Sequence, residues 1–215
     1  MSTEVFAAAA VGLAVLAIAA DFNERRRHDS FYLLKPLTTL MIIGMAATAP
    51  SGEARSLMLL ALGLSLVGDI CLMFDGQGWF MAGLSSFLLA HLAFIPALLH
   101  GVPSPTLPLW SAAIVVWGLG FFIWLLPKTG ALKPAVLVYG VVLMAMALAA
   151  VARWTVQPTE ASRLALVGAL LFVVSDSSLA VRQFVGRYRA AQALILSTYW
   201  AAIGLMAYSL TLASR

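Results

Sequence analysis

The sequence predicts an all-α fold, a polytopic membrane helix bundle of eight transmembrane helices. Of the 215 residues, 62% are hydrophobic and 10% are charged, whereas soluble domains average about 25% charged residues. The mean hydropathy of +0.98 comes from apolar segments about 20 residues long, the length that a helix needs to span a bilayer. Because the connections are short, we expect residues 1–215 to form a single integral membrane domain.

Eight segments meet the length and apolarity of a spanning helix. In order, the predicted spans are Val5–Phe22, Leu37–Ala49, Ser56–Phe74, Trp79–Leu99, Leu107–Leu126, Pro134–Ala152, Arg163–Val181 and Ala191–Leu212. The first is preceded by Met-Ser-Thr-Glu, which lacks the positive charge of a signal peptide, so we expect a retained helix. The second is short unless it begins at Phe31, which would place Lys35 and Pro36 in its first turns, where proline is tolerated. Turn residues separate the later spans, for example at Pro50-Ser51-Gly52 and Gln157-Pro158.

Charge distribution predicts the orientation of the bundle. One side would carry nine basic residues, namely Arg25, Arg26, Arg27, Lys35, Lys128, Lys133, Arg182, Arg187 and Arg189. The other side would carry four, namely Arg55, Arg153, Arg163 and Arg215. By the positive-inside rule the first side is cytoplasmic, which puts both termini outside a cell membrane. We attribute the net charge of +4 to this topology and expect no nucleic-acid partner.

A weak internal similarity suggests two parallel halves of four helices each. Lys35-Pro36 is echoed by Lys133-Pro134, and the segment around Asp69 is echoed by the segment around Asp176, 107 residues later. A 4+4 parallel repeat would relate the halves by an axis along the membrane normal. Since the Lys-Pro pairs are only 98 residues apart, chance similarity between apolar helices is the alternative.

Ionisable residues within membrane spans are costly and usually functional. Asp69 and Asp176 lie in different predicted spans, each roughly 7–9 Å inside the cytoplasmic end at 1.5 Å per residue. Lys35 and Tyr139 enter the same zone, while His91 and Tyr199 lie deeper. Each also has a structural interpretation: an aspartate can pair with an arginine, Lys35 can snorkel to the interface, and His91 can be a packing residue. The remaining candidates are Ser65 and Ser175. Small residues such as serine often lie at contacts between membrane helices, which is their structural interpretation.

This set favours acid–base chemistry over metal or serine-nucleophile chemistry. His28 and His100 fall in loops on opposite sides, so the three histidines cannot share a zinc ion, and Cys71 is the only cysteine. A site of His91 with both aspartates remains an alternative, although we expect neither a metal nor another cofactor. No Gly-x-Ser-x-Gly motif occurs. Two carboxyl groups in unequal surroundings can divide the roles of acid and base.

An ordered set of short motifs resembles a known family. Lys35-Pro36-Leu37-Thr38-Thr39, Ser65-Leu66-Val67-Gly68-Asp69, Ala90-His91, Tyr139-Gly140 and Ser175-Asp176-Ser177, followed by Tyr199, occur in this order. The set is similar to that of the YhhN-like lysoplasmalogenase family of multi-pass membrane proteins. The resemblance covers essentially the whole chain. It implies hydrolysis of the vinyl ether bond of lysoplasmalogens to a fatty aldehyde and glycerophosphoethanolamine or glycerophosphocholine.

The residues fit this chemistry, because cleavage of a vinyl ether begins with protonation of an alkene carbon. Our hypothesis makes Asp69 and Asp176 the acid and base, with Asp176 as the ionised partner, and places the catalytic His91 beside them. Lys35 would hold the phosphate of the lysophospholipid, and Tyr139, Tyr199, Ser65 and Ser175 would complete the substrate site toward the cytoplasmic leaflet. Beyond this substrate and membrane lipid, no protein partner is implied. The alternatives are a proton-coupled small transporter, a lipid-binding protein and a metal-dependent lipid hydrolase.

Overall fold

The part of the chain that the structure describes forms eight long helices. The computed structural model describes residues 2–22 and 29–212. The helices are α1 (Thr3–Phe22), α2 (Asp29–Ala47), α3 (Glu53–Cys71), α4 (Gln77–Leu99), α5 (Ala112–Leu125), α6 (Lys133–Val156), α7 (Glu160–Phe184) and α8 (Ala191–Leu212). Short 3-10 turns extend α5 at both ends and precede α6. Arg25, Arg26, Arg27, His28 and Arg215, which enter the charge count or the zinc argument above, lie outside the described residues.

All eight segments are long and apolar enough to cross a membrane, with α5 counted together with its flanking turns as Leu109–Lys128. No strand occurs in the two described stretches. The prediction of a polytopic helical bundle is therefore confirmed, and the chain is a multi-pass membrane protein. The predicted orientation, with both termini outside, stays a prediction.

Helix α2 takes the longer of the two predicted forms. It begins at Asp29, so Lys35 and Pro36 lie about two turns inside it rather than at its start. The Thr38 hydroxyl donates to the Leu34 carbonyl at 2.8 Å, within the same helix. This extra length brings Lys35 into the bundle, away from the end of the helix.

The two halves of the chain pair their helices in corresponding ways. Helix α3 packs on α4 and α7 packs on α8, while α2 packs on α3 and α6 on α7. Across the halves, α2 contacts α8 and α6 contacts α4. A parallel 4+4 arrangement would give these matching contacts, although α1, which packs on α2 and α8, has no counterpart in α5, whose main helix contact is a small one with α6. The two Lys-Pro pairs are not equivalent within it, because α6 begins at Lys133 whereas α2 begins six residues before Lys35.

Small residues and local caps allow the helices to pack closely. A Cβ atom at Gly168 of α7 would lie 2.7 Å from the Ala202 carbonyl oxygen of α8, and such close approaches are typical of helix pairs in membranes. Before α7, the Thr159 side chain accepts from the Ser162 amide and the Ser162 hydroxyl accepts from the Thr159 amide. This capping box satisfies helix amides that would otherwise have no partner. The start of α7 and its contact with α8 are thus fixed locally.

Candidate active site

Asp69 of α3 lies at the centre of a fully partnered polar cluster, here called the Asp69 cluster. Lys35 Nζ lies 3.3 Å from Asp69 Oδ1 and also donates to the Asp69 carbonyl at 3.0 Å. The hydroxyls of Thr39 and Tyr199 both donate to Asp69 Oδ2 at 2.7 Å. Only 2% of the Asp69 side chain is exposed. The cluster is a buried ion pair whose carboxylate has donors on both oxygens.

Asp176 of α7 lies in a different setting, here called the Asp176 cluster. The Tyr139 hydroxyl of α6 donates to Asp176 Oδ2. His91 Nε2 of α4 lies 3.7 Å from the same oxygen, beyond hydrogen-bond distance. Asp176 Oδ1 has no partner among the described residues. One carboxyl oxygen is therefore held by the protein and the other is left available.

His91 is buried without a well-formed hydrogen bond. Neither ring nitrogen meets the geometry of a normal hydrogen bond with a described residue, although the Phe87 backbone, one turn earlier in α4, interacts with the ring. The ring packs edge-on against Phe172, with centroids 4.6 Å apart, and against Tyr139 at 5.3 Å. A buried polar nitrogen without a partner costs free energy, so a packing role alone does not explain the choice of histidine here.

The structure holds the two aspartates in separate clusters. Aromatic rings lie between them: Phe172 packs against both His91 and Tyr199, and Phe87 packs against Tyr199 at 5.6 Å. The two carboxyl groups have different partners, since Lys35 from α2 holds Asp69 in an ion pair and Tyr139 from α6 donates to Asp176.

An apolar cavity lies between α4, α5, α6 and α7, next to Asp176. It is about 60 Å³ in volume, room for a few water molecules. Asp176, Tyr139 and Ser177 are the hydroxyl and carboxyl groups in its wall. The rest of the wall is formed by apolar residues and glycines, among them Phe80, Phe87, Phe121, Phe122, Trp117, Leu125, Val136, Gly140 and Phe184. The wall includes neither Asp69 nor Lys35, so the two clusters differ in access.

Several predicted substrate residues have other partners. Lys35 is 5% exposed and bound to Asp69, so the expectation that it holds a phosphate at the membrane rim is corrected. Ser65 donates to the Ala61 carbonyl of its own helix at 2.9 Å, and Ser175 donates to Ile195 of α8 at 3.0 Å. Both are buried outside the cavity wall and serve helix packing. Tyr199 likewise contacts Asp69 rather than the cavity.

Sequence reasoning missed Thr39 and Ser177 as site residues. Thr39 follows Lys35 by four residues and therefore lies on the same face of α2, which brings both side chains to Asp69. Ser177, next to Asp176, reaches the cavity wall that Ser175 does not. The spacing of Thr39 from Lys35 was a signal that could have identified it.

The described residues do not assemble a metal site of acidic, histidine and cysteine ligands. Within residues 2–22 and 29–212, no group of three or more His, Cys, Asp or Glu side chains could hold a metal ion. The alternative site of His91 with both aspartates therefore does not form.

The chain is similar to several curated proteins. It is 33% identical to the lysoplasmalogenase of Mycobacterium bovis, with 77% of this chain and 63% of that protein covered. It is 31% identical to lysoplasmalogenase TMEM86A of Bos taurus, covering 78% of this chain and 69% of the relative. With human lysoplasmalogenase TMEM86B the identity is 33%, over 79% of this chain and 70% of the relative. The matched part thus spans less than two thirds of the mycobacterial protein.

No solved structure matches the chain. The YhhN family matches residues 30–210, which span α2 to α8 with the exception of the first residue of α2 and the last two of α8. Both polar clusters and the cavity lie within this range. The chain therefore belongs to the YhhN family.

Proposed function

We propose that this protein is a hydrolase that cleaves the vinyl ether bond of lysoplasmalogens. Relatives that align with more than three quarters of the chain are named lysoplasmalogenase. The structural observation that supports the proposal most directly is Asp176, a carboxyl group with one available oxygen in the wall of an apolar cavity. An acid in a lipid-like environment is what protonation of an alkenyl chain requires.

The reaction needs one proton donor and one water molecule. Asp176 donates a proton to the alkene carbon farther from the ether oxygen, and the adjacent carbon and oxygen share the resulting positive charge. Water attacks that carbon and gives its proton to the Asp176 carboxylate, which restores the acid. The hemiacetal then breaks down to a fatty aldehyde and the glycerophospho head group, so water is the only reagent consumed.

The contacts of Asp176 suit this double role. Tyr139 holds Oδ2, which leaves Oδ1 to carry the transferred proton. The carboxylate formed after proton transfer lies next to the positive charge and stabilises it electrostatically. His91, 3.7 Å from Oδ2, acts as a positioning residue that limits the movement of the carboxyl group. Asp176 alone can then act as acid and base, so in this proposal it is the proton donor rather than the ionised partner that the sequence led us to expect.

In this proposal the Asp69 cluster positions the site and does not react. The ion pair of Asp69 with Lys35 joins α3 to α2, and Tyr199 joins the pair to α8. Tyr199 packs in turn on Phe172, which supports His91. The cluster thus fixes the aromatic layer on which the Asp176 cluster rests.

The substrate would enter from the membrane by way of α5. The cavity is too small for an alkenyl chain, and the main helix contact of α5 is with α6, so separation of these two helices would enlarge it. Lys133 is exposed at the start of α6, one turn before Val136 of the cavity wall. In place of Lys35, we assign the head-group phosphate to Lys133. With the positive-inside orientation, this end faces the cytoplasmic leaflet of the cell membrane.

The test compares two lipids that differ in one bond. The purified full chain is incubated with a vinyl ether lysolipid and with its acyl ester analogue, and released aldehyde and fatty acid are measured. We expect aldehyde from the first lipid and no fatty acid from the second. Fatty acid without aldehyde would identify an ester hydrolase, and no product from either lipid would refute the proposed activity.

A further inference from the structure

A polar cleft lies at the end of the bundle opposite the Asp176 cavity. It is formed where α2, α4 and α6 end and α3 begins, and its volume is about 310 Å³, within the range of about 300–1,000 Å³ typical of ligand pockets. Its wall includes Arg55, Arg153, His100, Gln157 and Glu53. The proposed reaction uses none of them.

Two arginines from separate helices dominate the cleft. Arg55 Nη1 donates to the Ala49 carbonyl at 3.0 Å, and Arg153 Nη1 donates to the Leu98 carbonyl at 3.2 Å. The Nε atom of each arginine is buried without a partner in the described part of the chain, and Nη2 of each makes no hydrogen bond to a described residue. A guanidinium presents five N–H donors in a planar fork. Most donors of both arginines are therefore unused by the protein.

Helix capping explains only part of this arrangement. Arginine side chains often hydrogen-bond the last carbonyls of a helix, and the Arg153 contact with Leu98 of α4 is of this kind. Arg55 reaches the last carbonyl of α2, that of Ala47, at 3.5 Å, but its shorter contact is with Ala49, two residues beyond that helix. Capping does not require two such side chains to share one cleft, nor does it explain the unpartnered Nε atoms. The acidic residue of the cleft, Glu53, is 75% exposed and lies 3.7 Å from His100. The two arginines thus outnumber the single carboxylate.

The geometry points to a binding site for a phosphate-class anion between Arg55 and Arg153. Guanidinium groups bind phosphate oxygens through paired N–H donors, and two groups supply enough donors for one phosphate. The cleft lies where helices long enough to span a membrane end, so the phosphate belongs either to a lipid head group or to a free anion. Glu53, at the rim, provides a place for the ammonium group of a zwitterionic head group.

The experiment uses the purified full chain in a neutral detergent. Thermal unfolding is followed while inorganic phosphate, phosphatidic acid or diacylglycerol is added, because a ligand that binds the folded state raises its stability with concentration. The variants are Arg153→Gln and Arg153→Lys. The matched control is Arg163→Gln, since Arg163 lies at the same end of the bundle but pairs with Glu160 at 2.7 Å outside the cleft.

We expect phosphatidic acid to bind the native chain and Arg163→Gln alike, and diacylglycerol to bind neither. Arg153→Gln should weaken the affinity by about tenfold or more. If Arg153→Gln does not fold, Arg153→Lys, which keeps the charge but loses the fork, should show the same direction of change. Binding of inorganic phosphate would identify a free-anion site, and its absence alongside phosphatidic acid binding would identify a head-group site. Absence of binding by both phosphate probes, or equal weakening in Arg163→Gln, would overturn the proposal.

Discussion

Replacement of Asp176 by asparagine tests the proposed reaction at a single atom. Asparagine has nearly the same shape, and its side-chain oxygen can still accept the Tyr139 hydroxyl, so we expect the bundle to fold. The amide cannot donate a proton to carbon and take it back from water. Acid–base catalysis contributes about 10²–10⁴-fold, so aldehyde release should fall by that factor, equivalent to about 2.7–5.4 kcal/mol in the barrier.

The same change at Asp69 should act through stability instead. Asp69→Asn leaves the Lys35 ammonium buried without its carboxylate, and breaking a buried pair in this way costs about 3–5 kcal/mol. The double variant Lys35→Gln with Asp69→Asn removes both charges together. We expect it to recover much of the lost stability and, with it, aldehyde release.

The assay couples released aldehyde to aldehyde dehydrogenase and follows NADH formation, while thermal unfolding of each variant is measured in the same detergent. Ser178→Ala is the matched control on α7, because Ser178 donates only to the Val174 carbonyl of its own helix. Turnover of Asp176→Asn within about tenfold of the native value would refute the assignment of Asp176. A folded double variant as inactive as Asp176→Asn would show instead that Asp69 takes part in the reaction.

Three further variants test the surroundings of Asp176. Tyr139→Phe removes the donor to Oδ2 and should lower aldehyde release by about tenfold; an unchanged rate would argue against its role. His91→Leu removes the contact of Nε2 with Asp176 Oδ2 at 3.7 Å and should lower aldehyde release, while leucine keeps an apolar contact with Phe172, so the unfolding temperature should change little; a large loss of stability would contradict this. A Cβ atom in Gly140→Ala would lie 1.5 Å from Phe122 Cζ, so we expect a destabilisation of about 1–3 kcal/mol. Phe122→Leu should relieve it, as a double-mutant cycle in thermal or denaturant unfolding would show.

The helices could be predicted from the sequence because the bilayer imposes a length and an apolar composition on each span. The start of α2 was ambiguous, since Lys35 and Pro36 interrupt the apolar pattern and hydropathy alone cannot distinguish a buried lysine from a rim lysine. The structure resolves this by pairing Lys35 with Asp69. Side-chain partners of this kind depend on which helices are neighbours, which one sequence does not encode locally.

The sequence indicated candidate residues for a site but not how their side chains are arranged. Matching depth predicts that Asp69 and Asp176 share a zone of the membrane, but depth gives no information about rotation around the helix axis. That rotation places Asp176 in the cavity wall and turns Asp69 toward Lys35. Which of Ser175 and Ser177 lies in the cavity wall depends on the same rotation, since each residue along a helix turns the side-chain direction by about 100°.

Each half of the chain contributes a helix to the surroundings of the other half's aspartate, and this has a consequence for assembly. Asp69 receives its donors from α2 and from α8, and Asp176 has its neighbours on α6 and α4. Each carboxyl group therefore depends on one helix of its own half and one from the opposite half. A polypeptide cut between α4 and α5 would give two fragments, and neither would contain a complete active site. We expect enzymatic activity only after the two fragments have associated in the bilayer.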